Sequence, residues 1–169
     1  MSSLWPSVQD WVSAICILLP VYCTNGAPVI FGGGRPIDFG RSLSDGQRIL
    51  GDHKTIQGFA SGLIIGVIVG AFESFFLSEN LLPIAILASS GALLGDLAGA
   101  FVKRRLRIKP GRPLPVLDQL DFVIGAVLMV SIIFNVSLGT VLIVVLVTPP
   151  IHLLTNFGAY VLGLKSTYW

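Results

Sequence analysis

Asp118 and Asp121 stand three residues apart in Asp118-Gln119-Leu120-Asp121, which places two carboxylates on one face of a helix. Mg²⁺ is typically held by one or two carboxylates together with substrate phosphate oxygens, so the pair could form a magnesium site. The plainer reading is a helix start, with Asp118 as N-cap and Asp121 favouring the helix dipole. Asp96 lies inside the apolar run 85–102, seven residues before Lys103. At about 1.5 Å per residue it sits roughly 10 Å below the helix end, where an ionisable group is a functional hypothesis by default. Its plainer reading is a salt bridge to a neighbouring base. Between Asp96 and Asp118 runs a basic segment with Lys103, Arg104, Arg105, Arg107, Lys109 and Arg112. Carboxylates beside cations are what metal-assisted phosphoryl chemistry requires. A further element is Gly51-Asp52-His53-Lys54-Thr55, where Lys54 and Thr55 meet a predicted helix N-terminus. Such an end favours anions; a Thr cap with a snorkelling Lys explains it equally.

These groups need a scaffold, and composition dictates its kind. Of 169 residues, 53% are hydrophobic, 19 are Gly and only 12% are charged, about half the charged share of soluble domains. Mean hydropathy is +0.83. A soluble core with a charged shell, disorder and a disulfide scaffold are all excluded. The expected fold class is an all-α integral membrane protein, one membrane domain over 1–169. A span takes about 20 apolar residues, and five are predicted at about 8–23, 56–77, 81–102, 120–136 and 138–162. The first carries Asp10 and lacks a basic start, so it reads as a span and not a signal peptide.

The charges set the orientation. The segment 24–55 holds Arg35, Arg41, Arg48 and Lys54, the segment 103–119 holds the basic run, and Lys165 follows the last span; together these are all 11 Lys and Arg. Five crossings put every one on the same side, which the positive-inside rule makes cytoplasmic. The N-terminus is then outside and the C-terminus inside, in a multi-pass protein of the cell membrane. Asp38, Asp45, Asp52, Asp96, Asp118 and Asp121 share the cytoplasmic side, leaving Asp10, Glu73 and Glu79 on the other. The two cytoplasmic loops are expected to form the polar site.

Gly58, Gly62, Gly66 and Gly70, and again Gly91, Gly95 and Gly99, recur every four residues. Such stripes let helix backbones approach closely. Gly95 and Gly99 could equally leave room for a lipid or phosphate, and contacts between copies would make a homo-oligomer. Asn25-Gly26-Ala27-Pro28 is predicted to stop helix 1. Pro149-Pro150 is predicted to kink or break helix 5, with His152 and Asn156 satisfying the freed carbonyls or meeting substrate. Cys16 and Cys23 have no companion ligands and read as packing residues.

The chain resembles the CDP-archaeol synthase family, CTP-dependent cytidylyltransferases of archaeal ether-lipid synthesis, over almost its whole length. The resemblance is carried by Asn25-Gly26-Ala27-Pro28, Pro36-Ile37-Asp38-Phe39-Gly40, Asp45-Gly46, Gly51-Asp52-His53-Lys54-Thr55 with Gly58, Gly95-Asp96, Lys103-Arg104-Arg105 and Pro115-Val116-Leu117-Asp118-Gln119-Leu120-Asp121. It is more distantly similar to the phosphatidate cytidylyltransferases. Their Lys-Thr-x-x-Gly corresponds to Lys54, Thr55 and Gly58, and their Gly-Asp followed by Lys-Arg corresponds to Gly95-Asp96 and Lys103-Arg104. Their terminal Asp-Arg-x-Asp corresponds to Asp118 through Asp121.

The resemblance implies transfer of CMP from CTP to the phosphate of a membrane lipid, 2,3-bis-(O-geranylgeranyl)-sn-glycerol 1-phosphate, with release of pyrophosphate. It implies that Asp96, Asp118 and Asp121 hold Mg²⁺, and that Lys54, Lys103 and Arg104 hold the phosphates. Asn25, Asp38, Asp45, Asp52 and Thr55 would line the nucleotide site or brace its loop. The partners expected are CTP, the lipid and the bilayer, with no nucleic acid. Two rival readings use the same basic loops: a small anion channel or transporter, and a non-catalytic scaffold that binds anionic lipid.

Overall fold

The computed structural model describes residues 6–109, 112–165 and 167. Among them are five helices: α1 (Val8–Phe31), α2 (Ile56–Leu77), α3 (Leu82–Arg105), α4 (Leu117–Ser131) and α5 (Leu138–Val161). Four of these, α1, α2, α3 and α5, are long and apolar enough to cross a membrane. The fourth helix is shorter than predicted. At about 1.5 Å per residue its 15 residues reach roughly 22 Å, against about 30 Å of bilayer hydrocarbon. A further turn to Phe134 extends it, with the Phe134 N–H donating to the Val130 carbonyl at 2.9 Å.

Helix α1 departs most from expectation. A reciprocal Ser7–Asp10 capping box starts it. It does not stop at Asn25-Gly26 but runs through Pro28 to Phe31. Pro28 has no N–H to give the Thr24 carbonyl, and α2 closes on that carbonyl: a Cβ at Gly62 would lie 2.8 Å from it. Packing therefore stabilises a helix that local signals would end. The true stop is the Gly32-Gly33-Gly34 run, with Gly33 and Gly34 at positive φ.

The glycine stripes place backbones against each other. The buried positions of α2 are Gly58, Gly62, Gly66, Gly70 and Glu73. Any Cβ at Gly66 would strike the Thr24 and Ser89 hydroxyls, and one at Gly70 would strike Ala85. On the other side of α3, Gly91 and Gly95 back onto α4, where Gly125 approaches Gly95 in return. The core is completed by Ile17, Leu18 and Val21 of α1, Ala88 and Ala92 of α3, Phe122, Val123 and Val130 of α4, and Ile143 and Val144 of α5.

Helix α5 stays helical across Pro149-Pro150. His152 and Asn156 do not cap the freed carbonyls; they contact each other, Asn156 Nδ2 lying 3.2 Å from His152 Nδ1. The starts of α1 and α5 share one end of the molecule, where the Ser137 hydroxyl donates to the Asp10 carboxylate. The segment 32–55 and the end of α3 share the opposite end, where Arg105 reaches back to Asp45 and to the carbonyls of Gln47 and Arg48.

Candidate functional site

The polar site is built where the starts of α2 and α4 meet the end of α3. Thr55 caps α2, its hydroxyl accepting from the Gly58 N–H at 3.0 Å and the Gly33 N–H at 3.3 Å. This fixes Lys54 one residue ahead of the helix. Its ammonium donates to both oxygens of Asp96, at 2.7 and 2.6 Å. The depth of Asp96 is thus matched by a cation from another segment, as its plainer reading required.

A second ammonium pairs with a second carboxylate. Lys103, in the last turn of α3, donates to Asp118 at 2.9 and 2.8 Å. Asp118 is not the N-cap: that position is Val116, at φ 71 and ψ −54 with no side-chain cap bond. Positive φ is strained for a β-branched residue. The turn it makes aims Asp118 back, so that its carboxylate also accepts from the Leu114 N–H at 2.9 Å.

Asp121 lies one turn on and faces α3. A Cβ at Gly95 would strike its carbonyl, and a Cβ at Gly99 would strike its carboxylate. These two glycines leave room for Asp121 itself, not for a lipid or phosphate. Its Oδ1 accepts from the Phe122 N–H at 2.7 Å. The charges of Asp96, Asp118 and Lys54 all reach it. Five residues on two helices and a loop therefore converge: Lys54 on the loop, Asp96 and Lys103 on α3, Asp118 and Asp121 on α4. Among the described residues no three His, Cys, Asp or Glu side chains are arranged to hold one metal ion; Asp96 and Asp118 hold ammonium groups instead. Arg104, beside them on α3, is buried, and its Nε has no hydrogen-bond partner.

The remaining predicted residues stand apart from that cluster. Asp38 is a brace. Its side chain is fully enclosed and accepts from Arg48 Nε and Nη2 and from the N–H groups of Gly40, Leu50 and Gly51. Burial alone would raise its pKa, but the Arg48 guanidinium and the three amides outweigh that and hold the carboxyl well below its usual range. Asp52 pairs with the other arm of Arg48 at 2.6 Å. Asp45 caps its own turn through the Gln47 N–H and pairs with Arg105 at 2.5 Å. Antiparallel bridges, Pro36 to Thr55 and Ser42 to Arg48, complete a folded loop. Asn25 sits in the penultimate turn of α1, half-buried, and not on the loop.

Sequence reasoning passed over one contributor. Lys165, after α5, donates to Asn156 Oδ1 at 2.6 Å. Burial, and then the charge of Lys54, push its pKa down. The signal available was the His152/Asn156 spacing on the C-terminal half of α5, with a cation beyond it.

Residues 8–169 match the CarS-like family model, described as CDP-archaeol synthase. The chain is 49% identical over 165 residues to a CDP-archaeol synthase of Thermofilum pendens, covering 90% of this chain and 78% of that one. It is 43% identical to one from Pyrococcus horikoshii, covering 96% of this chain and 99% of the other. It also superposes on a solved structure described as "Structural insight into an intramembrane enzyme for archaeal membrane lipids biosynthesis", with a TM-score of 0.81, 39% identity, and coverage of 86% of this chain and 93% of that one.

Proposed function

The chain belongs to the CDP-archaeol synthase family, and on that premise we propose how its residues carry out CTP-dependent cytidylyl transfer to an archaeal lipid. It is a membrane-embedded nucleotidyltransferase. The acceptor is the phosphate of 2,3-bis-(O-geranylgeranyl)-sn-glycerol 1-phosphate. An oxygen of that phosphate attacks the α-phosphorus of CTP; the bond to the β-phosphate breaks, pyrophosphate leaves, and CDP-archaeol remains in the bilayer.

The observation that carries this reading is the pair of bidentate Lys–Asp bridges, Lys54–Asp96 and Lys103–Asp118, set on either side of Asp121. The nucleophile needs no strong base, since the lipid phosphate is already an anion. The barrier lies in bringing anions together, and preorganised cations lower it. Lys54, Lys103 and Arg104 bind phosphate oxygens. When the triphosphate enters, its oxygens compete with Asp96 and Asp118 for the two ammonium groups. The carboxylates so released suit Mg²⁺, since Asp96, Asp118 and Asp121 offer only hard oxygen donors. When bound, the ion supplies charge neutralisation at the reacting phosphates. Asp38, Arg48, Asp52, Asp45 and Thr55 hold the loop against α3, and Asn25 faces the nucleotide from α1.

All five helices cross the bilayer, with the N-terminus outside. The placement of both basic segments at one end supports this, and the positive-inside rule makes that end cytoplasmic. CTP then meets the lipid headgroup on the side where CTP is made. The test is purified protein with labelled CTP, Mg²⁺ and the phosphorylated ether lipid. A CDP-lipid is expected; no product with any phospholipid tried would return the field to the transporter or scaffold readings.

A further inference from the structure

The loop that follows α1 presents an aromatic ring that the core does not use. Phe39 sits at φ 50, a left-handed backbone conformation uncommon for a bulky residue, and it is 64% exposed. A glycine would hold this turn at no steric cost. Backbone in such a region persists only where its surroundings over-determine it, and such residues gather at ligand sites. The surroundings here are dense. The Phe39 N–H donates to the Pro36 carbonyl at 3.1 Å, and the Arg41 N–H to the Asp38 carbonyl at 2.9 Å. The enclosed Asp38 carboxylate accepts from the Gly40 N–H at 3.1 Å and from Arg48, Leu50 and Gly51. Asp38 turns inward, and the next residue stands outward.

The loop is tied to the elements that carry the polar cluster. The Ile37 N–H donates to the Lys54 carbonyl at 2.7 Å, and the Ile56 N–H to the Arg35 carbonyl at 3.0 Å. The Gly33 N–H donates to the Thr55 hydroxyl, and Arg105 of α3 holds Asp45 and the carbonyls of Gln47 and Arg48. Phe39 follows Ile37 by two residues, a reach of about 7 Å at most. The ring therefore stands at the rim of the site, on a backbone fixed relative to Lys54. An aromatic face of this kind is a stacking platform for a flat heterocycle. A bilayer anchor takes its strength from buried apolar area and gains nothing from a strained, braced backbone. Between residues 32 and 55 the exposed large apolar side chains are Phe39 and Leu43, too few for such an anchor.

We propose that Phe39 is the platform on which the cytosine ring of CTP stacks while the phosphates lie at Lys54. The base then occupies the rim and the reacting phosphate the cluster, in the order these groups follow along a nucleotide. This rests on the cytidylyltransferase reading above.

The test uses the full-length protein in lipid nanodiscs, with Phe39→Gly, Phe39→Leu and Phe39→Tyr. Two quantities are read for each: KM for CTP, and the inhibition constant of inorganic tripolyphosphate, which carries phosphates without a base. Phe39→Gly and Phe39→Leu are expected to raise KM for CTP by roughly fivefold to a hundredfold, the span of base stacking on an aromatic ring. The tripolyphosphate constant should stay near that of the wild type, and Phe39→Tyr should keep most of the affinity for CTP. The loop should stay folded in Phe39→Gly, because glycine accepts the positive φ without strain. If that variant does not accumulate, Phe39→Leu is read in the same way. An unchanged KM for CTP in the Leu variant overturns the proposal. So does an equal rise in both constants, which would mark collapse of the loop. A wild-type KM for CTP with a raised KM for the lipid would assign the ring to the bilayer side, and overturns it too. A wild type that makes no CDP-lipid removes the functional reading as well. A working wild type with an indifferent Phe39→Leu removes only this inference.

Discussion

Lys54 Nζ lies 2.7 and 2.6 Å from the two carboxylate oxygens of Asp96, tying the start of α2 to the middle of α3 across 42 residues of sequence. Both side chains are about a quarter exposed, so the bridge by itself adds on the order of 1 kcal/mol or less to stability. Its weight is functional: it keeps an ammonium ready beside a carboxylate.

Lys54→Ala should therefore leave the protein folded and weaken it toward CTP. The expected fall in apparent affinity is roughly tenfold to a hundredfold, read by titrating CTP against product formation. An unchanged affinity would refute the phosphate role.

Asp118→Asn removes a negative donor while keeping the side chain's shape. CTP incorporation should fall by about a hundredfold or more at ordinary Mg²⁺, and part of the loss should return as Mg²⁺ is raised. Near-normal turnover at every concentration would sink the metal assignment.

Gly99→Ala tests the fit of Asp121. The added methyl would collide with the Asp121 carboxylate, which must shift. Turnover should drop by about tenfold or more, since small displacements at a reacting centre are costly. Gly158→Ala is the control, because nothing lies within 4 Å of the added carbon. Equal activity in the two variants would show that Asp121 is not held for chemistry.

Asp38→Asn should loosen the loop 32–55. It leaves one arm of Arg48 facing a neutral group and weakens three amide contacts. Faster proteolysis within the loop and weaker CTP binding are expected, with the helices intact. The pH dependence follows from the depressed pKa. Stability from this carboxylate is full above its unfolded value, near 3.8, and is lost as pH falls through the lower folded value. Loop protection should be flat from pH 8 to pH 5 and decline only below about pH 4. A decline centred near neutrality would contradict it.

How far the sequence was legible depended on the range of the physics. The predicted bounds of α2 matched because its span is set by length and hydropathy alone. The glycine stripes were readable because spacing of four is local; what sat against them was not, so Asp121 filling the space at Gly95 and Gly99 emerged only from the packing of α4. Helix α1 overran its predicted stop because a carbonyl freed by Pro28 found α2, a tertiary contact that no local signal announces. Asp96 was visible as a carboxylate in an apolar run, but its partner Lys54 was not, being on another segment. The Lys165–Asn156 contact was hidden for the same reason: it depends on how the chain turns after α5.

The central claim is that the bond broken lies between the α- and β-phosphates of CTP, and that the α-phosphate passes to the lipid. Two parallel incubations with phosphorus-labelled CTP test it most directly. Label at the α-phosphate should move into the lipid phase with cytidine, and label at the γ-phosphate should appear wholly in pyrophosphate. Label from the γ-phosphate in the lipid, or release of free CMP without lipid labelling, would contradict the account.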